Sequence, residues 1–390
     1  MLRAQLERWP SVLETLRDDD FDELHVVTTA HRATLAPAHL APGARSHSRT
    51  KAGAAGAAAS ATDPAAAVPA VERPPGVRFG LQVPRFTWEG GPAAIGSRLR
   101  EIALAAETAG FDQLWLMDHF RQIPSMGRPW EEMLESWTTL GYLAGVTSTI
   151  RLGTLVTGIT YRNIAHLGKI VATLDVLSGG RAMCGLGAAW YREEHLAYGW
   201  PFPPLRDRYA LLEDALKLLP LLWGPGTPSF TGRAIHVPEA MCYPRPLQER
   251  IPLLIGGSGE RTTLRLAARY ADACNLFGEA PTIARKVAVL RRHCAEVGRD
   301  PAEVEVTQLS TVLVGRDVDE VASLVERLRP ARVSAERFAQ RVSAGTVAQH
   351  ADRVRDLAEL GVGTVMVSLA DLDDTAAIER FAGVIHLTRQ

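Results

Sequence analysis

Leu114-Trp115-Leu116-Met117-Asp118-His119-Phe120 is the stretch whose reading decides the fold. Its apolar run, Leu114 to Met117, stops at an acid and an imidazole. A continuous apolar run of this length is the pattern of a strand buried on both faces, leaving a parallel sheet and entering a loop. Histidine is the side chain that titrates closest to neutrality. His119 is therefore a candidate proton carrier, and Asp118 could orient a ring or bind a ligand. A polar strand end with no chemistry is the plainer alternative.

The flanking chain repeats the same unit. Val77 to Val83 reads as a strand, and Pro92 to Ala109 carries a helical stripe at Ile95, Leu99, Ile102 and Ala106, closed by Gly110. Further strands are expected at 151–157, 181–187, 252–256, 271–277, within 304–315, and at 363–369. Helices are expected at 137–147, 164–177, 208–222, 262–270, 318–328, 346–360 and 375–387. A turn-rich piece, 229–237, suits a hairpin. Eight strands alternating with helices predict an α/β protein, a (β/α)8 TIM barrel, with an open doubly wound sheet as the competitor. In such a barrel, chemistry belongs at the C-terminal strand ends. That places Asp118-His119, Thr157-Gly158, Gly187-Ala188 and Gly256-Gly257 at one rim.

Before Val77 the texture differs. Residues 1–42 hold one plausible helix, Leu2 to Leu16, and too little apolar surface for a core of their own. Residues 43–76 are rich in Ala, Gly and Pro and read as a mobile linker. The expected organisation is thus an appendage at 1–42, a linker at 43–76 and the barrel at 77–390.

The 390 residues carry 43 Lys and Arg against 44 Asp and Glu, a balance that gives no footprint for nucleic acid or an anionic membrane surface. The first residues are charged rather than apolar, and no run is long enough to span a bilayer. The four cysteines, Cys184, Cys242, Cys274 and Cys294, form no Cys-x-x-Cys pair, and no His-Glu-x-x-His occurs, so neither a disulfide framework nor a metal site is expected. A reduced, cytoplasmic protein acting on a small molecule is the expectation.

Gly256-Gly257-Ser258-Gly259 follows a strand and opens a helix. Backbone N–H groups of a glycine loop, added to the positive end of a helix, make a seat for phosphate. A tight turn that merely needs glycine is the alternative. Barrels more often seat phosphate after strands seven and eight, so a seat after the fifth departs from the usual placement. Neither a Rossmann fingerprint nor a P-loop lysine is present. Gly185-Leu186-Gly187 with Ala188 permits close backbone approach to a flat ligand, or simply close packing. Trp190 and Tyr191 could wall that ligand in. Glu193, Glu194 and His195 could polarise it. Thr157, Thr160, Tyr161 and Asn163 form a polar lip, and Phe86 and Trp88 are candidates for an aromatic wall.

Taken together, Phe79-Gly80-Leu81-Gln82-Val83-Pro84, Ala109-Gly110-Phe111-Asp112, Met117-Asp118-His119-Phe120, 151–156, Ala172-Thr173-Leu174-Asp175, 177–181, Gly185-Leu186-Gly187 and Gly256-Gly257-Ser258-Gly259 resemble the luciferase-like flavin and deazaflavin oxidoreductases, closest to the F420-dependent subgroup. The resemblance covers roughly 77–315 well and the remainder more loosely. It implies an F420-dependent oxidoreductase whose counterparts of Asp118 and His119 face the cofactor ring, His119 giving or taking the proton. It also implies a bulge at Leu155-Val156 behind the ring, often with a non-proline cis peptide, with Thr157, Gly187, Ala188, Trp190 and Glu193 nearby and Gly256 to Gly259 on the phosphate tail. Relatives are often homodimers. A glutamate that some F420-dependent dehydrogenases carry just after the fourth strand is replaced here by Trp190, leaving its role vacant or moved to Glu193 or Glu194. Flavin luciferases often show Glu-His-His where Asp118-His119-Phe120 stands, which favours F420 over FMN. The rivals are an FMN-dependent monooxygenase using reduced flavin and O2, and a barrel that binds F420 or a phosphate ligand without turnover.

Overall fold

The computed structural model describes residues 76–390, so the expected helix Leu2–Leu16 and the linker up to residue 75 lie outside the described residues. The strands are β1 Arg78–Val83, β2 Gln113–Leu116, β3 Arg151–Thr154, β4 Thr157–Gly158, β5 Ala182–Gly187, β6 Phe230–Thr231, β7 His236–Val237, β8 Leu253–Gly256, β9 Ala273–Leu276, β10 Glu305–Gly315, β11 Ala344–Thr346 and β12 Val362–Leu369. Neighbours pair in the order β1, β2, β3, β5, β8, β9, β10, β12, all in parallel. The ring then closes, because β12 returns to β1 with Phe79 opposite Val365. Closure decides for the eight-stranded barrel over the open sheet.

Two layers of apolar side chains explain why the strands read as unbroken apolar runs. Trp115, Met183, Leu254 and Met366 fill the barrel interior together with Leu155. Their neighbours Leu114, Leu116, Leu253, Ile255, Val365 and Val367 point the other way, into the layer shared with the helices. Trp115 is fully buried, and truncating such a side chain to Ala costs about 3–5 kcal/mol. Residues 230–237 form the expected hairpin, β6 against β7.

Three expectations change. The third strand, which the apolar pattern gives as one piece over 151–157, is interrupted by the non-proline cis peptide that the family resemblance implies at Leu155-Val156, and Thr157-Gly158 re-forms pairing with β5 instead of continuing beside β2. The segment between Phe277 and Val304, where no helix is expected, is mostly the helix Ala280–Glu296, which buries Ile283, Val287, Leu290 and Cys294 against the barrel. Phe86 and Trp88 belong to the core rather than to a site wall. Both are buried, and the Trp88 indole donates to the Leu372 carbonyl at 2.8 Å. Among the described residues, no helix is long and apolar enough to cross a membrane.

Candidate functional site

The C-terminal ends of the strands open into a cavity of about 550 Å³. Of the residues singled out in the sequence, His119, Leu155, Val156, Gly158, Tyr161, Gly187, Ala188, Trp190 and Gly256 to Gly259 line it. Asp118, Thr157 and Glu193 do not.

The floor is built by the break after β3. Val156 projects from the cis peptide over β5 and β8, where the chain carries glycine. A Cβ on Gly187 would come within 2.8 Å of the Val156 side chain, and one on Gly256 within 2.7 Å. Contacts that close are essentially never tolerated, so the glycines read as a close-approach signal receive Val156 rather than leaving bare backbone to a ligand.

His119 stands at one wall, just beyond β2. Its Nδ1 lies 3.1 Å from the Glu194 carboxylate and 3.2 Å from the Tyr161 hydroxyl. Glu194 comes from the short helix Arg192–Ala197 and is fully buried. Its carboxylate also accepts from the Phe120 amide at 2.7 Å, the Arg121 amide at 3.2 Å and the Tyr161 hydroxyl. Burial pushes the Glu194 carboxyl up, but the hydrogen bonds from His119 and Tyr161, the charge of His119 and the Phe120 amide outweigh it. The group therefore lies below its ordinary range and stays ionised. Tyr161 is pushed up, first by burial and then by the Glu194 charge, so its hydroxyl remains a donor. With a carboxylate accepting at Nδ1, that nitrogen carries the proton, and Nε2 is the nitrogen left for the cavity. Sequence reasoning weighed Glu193 and Glu194 together. The structure separates them: Glu193 is exposed and Glu194 grips His119.

Asp118 has other partners. It is buried and accepts from both terminal nitrogens of Arg162, at 2.5 and 2.9 Å, and from the Thr157 hydroxyl at 2.7 Å. Arg162 in turn bridges to Glu135, which caps the helix Ser136–Val146 through the Thr138 amide at 2.6 Å. Asp118 and Thr157 thus lock the loops beneath the wall rather than face the cavity. Of the remaining polar lip, Asn163 caps the helix Ile164–Leu177. Thr160 meets Nε2 of His195 at 2.6 Å, and the other nitrogen of that ring donates to the Tyr191 carbonyl at 2.8 Å. Trp190 stands half-exposed at the mouth, stacked on the buried Tyr191 with ring centroids 5.1 Å apart.

The opposite wall is the loop Gly256 to Gly259, running into the helix Thr263–Tyr270, whose start has no side-chain cap. Gly257 holds φ 136°, which favours glycine. The Tyr209 and Thr263 hydroxyls are 2.9 Å apart and line the same wall. Behind it, the buried Lys286 ammonium donates to the Ser258 carbonyl at 2.6 Å and fixes the loop. On the floor's far side, the Nδ2 amide of buried Asn275 has no partner among the described residues. Sequence reasoning missed Asn275, Tyr209 and Lys286. A polar residue in the otherwise apolar run of β9 was the available signal for the first.

Comparison with known proteins bears on the fold and the family. An uncharacterized protein of Mycobacterium tuberculosis is 31% identical over 214 residues, covering 50% of this chain and 75% of the relative. An F420-dependent glucose-6-phosphate dehydrogenase of Kineococcus radiotolerans is 32% identical over 180 residues, 45% of this chain and 50% of that protein. Among solved structures, an F420-dependent secondary alcohol dehydrogenase in complex with an F420-acetone adduct superposes with a TM-score of 0.68 at 21% identity, covering 81% of this chain and all of that one, a likeness of fold. The family described as luciferase-like monooxygenase matches residues 77–337, more than half of the sequence, and the chain belongs to that family.

Proposed function

We propose that the chain is an F420-dependent oxidoreductase that moves a hydride between the deazaflavin and a small organic substrate, with His119 as the proton donor or acceptor. The observation that carries this reading is the His119–Glu194 pair at the cavity wall. The residues present fit a planar group with a phosphorylated tail. Val156 offers a flat apolar backing. The unpartnered Asn275 amide offers a donor, and the uncapped helix start with its glycine loop offers N–H groups to an anion. When bound, the deazaflavin supplies the hydride chemistry itself.

The chain's part is positioning and proton handling. Glu194 holds Nδ1–H, so Nε2 can take a proton from a substrate hydroxyl in one direction and return it to a carbonyl oxygen in the other. Tyr161 keeps the carboxylate satisfied. Arg208 donates to the Ala188 and Ala189 carbonyls, the first at 2.9 Å, which stiffens the strand end below Trp190.

The family description itself favours a second reading, an FMN-dependent monooxygenase on the same barrel. Titration of the purified protein with F420 and with FMN separates the two. Binding of F420 with little affinity for FMN supports the first. Tight FMN binding without F420 binding overturns it.

A further inference from the structure

The cavity lining carries a chemical instruction about the substrate. Among the described residues that line it there is no Lys, Arg, Asp or Glu. We infer that the organic substrate is uncharged and largely apolar, an alcohol or carbonyl compound rather than a phosphate or a carboxylate. This inference rests on the reading that the cofactor occupies the floor and the glycine loop.

Cations are close by, yet none of them lines the cavity and most are committed elsewhere. Arg162 is spent on Asp118 and Glu135. Arg208 is turned to the Ala188, Ala189 and Pro203 carbonyls and lies over the Phe202 ring. Lys286 is tied to the back of the glycine loop. Arg121 lies over the Tyr191 ring and outside the lining, its buried Nε without a hydrogen-bond partner among the described residues. The titratable groups that do face the cavity are His119, Tyr161 and Tyr209, and any positive charge on His119 is matched by Glu194. The one place built for an anion is the glycine loop, which the cofactor's phosphate takes.

What remains for the substrate is Ile123, Met126, Trp190, Phe277 and Leu309, with neutral hydroxyls at the far edge such as Ser310. Another hydroxyl there, Ser368, already donates to Gln82 at 2.6 Å. An anion closed into such a space loses its hydration with no cation to replace it, a penalty far larger than the apolar contact it would gain. An alcohol or ketone needs one hydrogen-bonding partner at its reacting oxygen, and His119 is placed to be that partner.

The test compares matched ligands on the cofactor-loaded protein by calorimetry. A panel of cyclic and linear alcohols and ketones is paired with the carboxylate and the phosphate ester of each carbon skeleton, and glucose 6-phosphate is added as a polar anion. Neutral members are expected to bind at least tenfold more tightly than their charged counterparts. A charged member binding as tightly as its neutral partner, or measurable binding of glucose 6-phosphate, overturns the inference. In the variant Ser310→Lys, the carboxylates are expected to gain about tenfold, and no gain would mean the lining is not where these ligands meet the protein. Failure of the functional reading is seen separately, as failure of F420 to bind. The same panel is then run with the glycine loop saturated by inorganic phosphate.

Discussion

Nδ1 of His119 and the carboxylate of Glu194 meet at 3.1 Å across 75 positions of sequence, and the carboxylate is fully buried while the imidazole lines the cavity. The pair makes Glu194 a positioning residue with a readable signature. Glu194→Gln is expected to lower turnover by less than the roughly 10²–10⁴-fold that a general acid–base group contributes. Because Glu194 acts through the imidazole and does not line the cavity, the loss should fall on kcat, with KM and cofactor affinity little changed. A merely structural role would lower the folded fraction and leave kcat per folded molecule unchanged.

The same carboxylate makes a prediction for stability. Its folded value lies below the unfolded one, so its contribution is present at neutral pH and is lost as the pH falls through and below the usual carboxylate range, near about 4. Urea unfolding of the wild type and of Glu194→Gln should therefore differ most at neutral pH and converge towards pH 3. A gap that widens in acid would contradict the assignment.

His119→Ala should separate chemistry from binding. Turnover is expected to fall by about 10²–10⁴-fold, while cofactor affinity stays within a few-fold, since the floor and the glycine loop are untouched. The readouts are single-turnover rates and cofactor titration on the same preparation. Unchanged turnover would remove the residue from the proton path.

Asp118 should behave in the opposite way. Its bonds run to Arg162 and Thr157, so Asp118→Ala leaves a partly buried guanidinium with one fewer anion. Breaking such a pair costs about 3–5 kcal/mol. The expected result is a large drop in melting temperature, with residual activity at permissive temperature far above that of His119→Ala.

The seat of Val156 can be probed as a pair. Gly256→Ala forces a Cβ against Val156 and should destabilise by about 1–3 kcal/mol through overpacking. Val156→Ala in the same chain should relieve most of that clash, giving a coupling energy in a double-mutant cycle. Additive losses would mean that the two side chains do not compete for one space.

Much of this was legible in the sequence because it is periodic. The apolar run Leu114 to Met117, buried on both faces, gave the strand, and its abrupt end gave the rim. What escaped has physical reasons. The helix Ala280–Glu296 carries an apolar stripe at Ile283, Val287, Leu290 and Cys294, a readable spacing that basic residues between its members obscured. The break at Leu155-Val156 was legible only through the family resemblance and not through periodicity, because it is a tertiary event made possible by glycines on two other strands. The choice between Glu193 and Glu194 turns on which side of a six-residue helix faces His119, and adjacent acids look alike until that helix is placed.

The glycines beneath Val156 also set a rule for redesign. Enlarging any one of them displaces the valine, and displacing the valine disturbs two strands at once. Bed depth is therefore inherited as a package, whereas the upper fringe at Met126, Trp190 and Phe277 can be altered one side chain at a time. Laboratory selections for new specificity on this scaffold should accumulate their changes around that fringe and leave the bed alone.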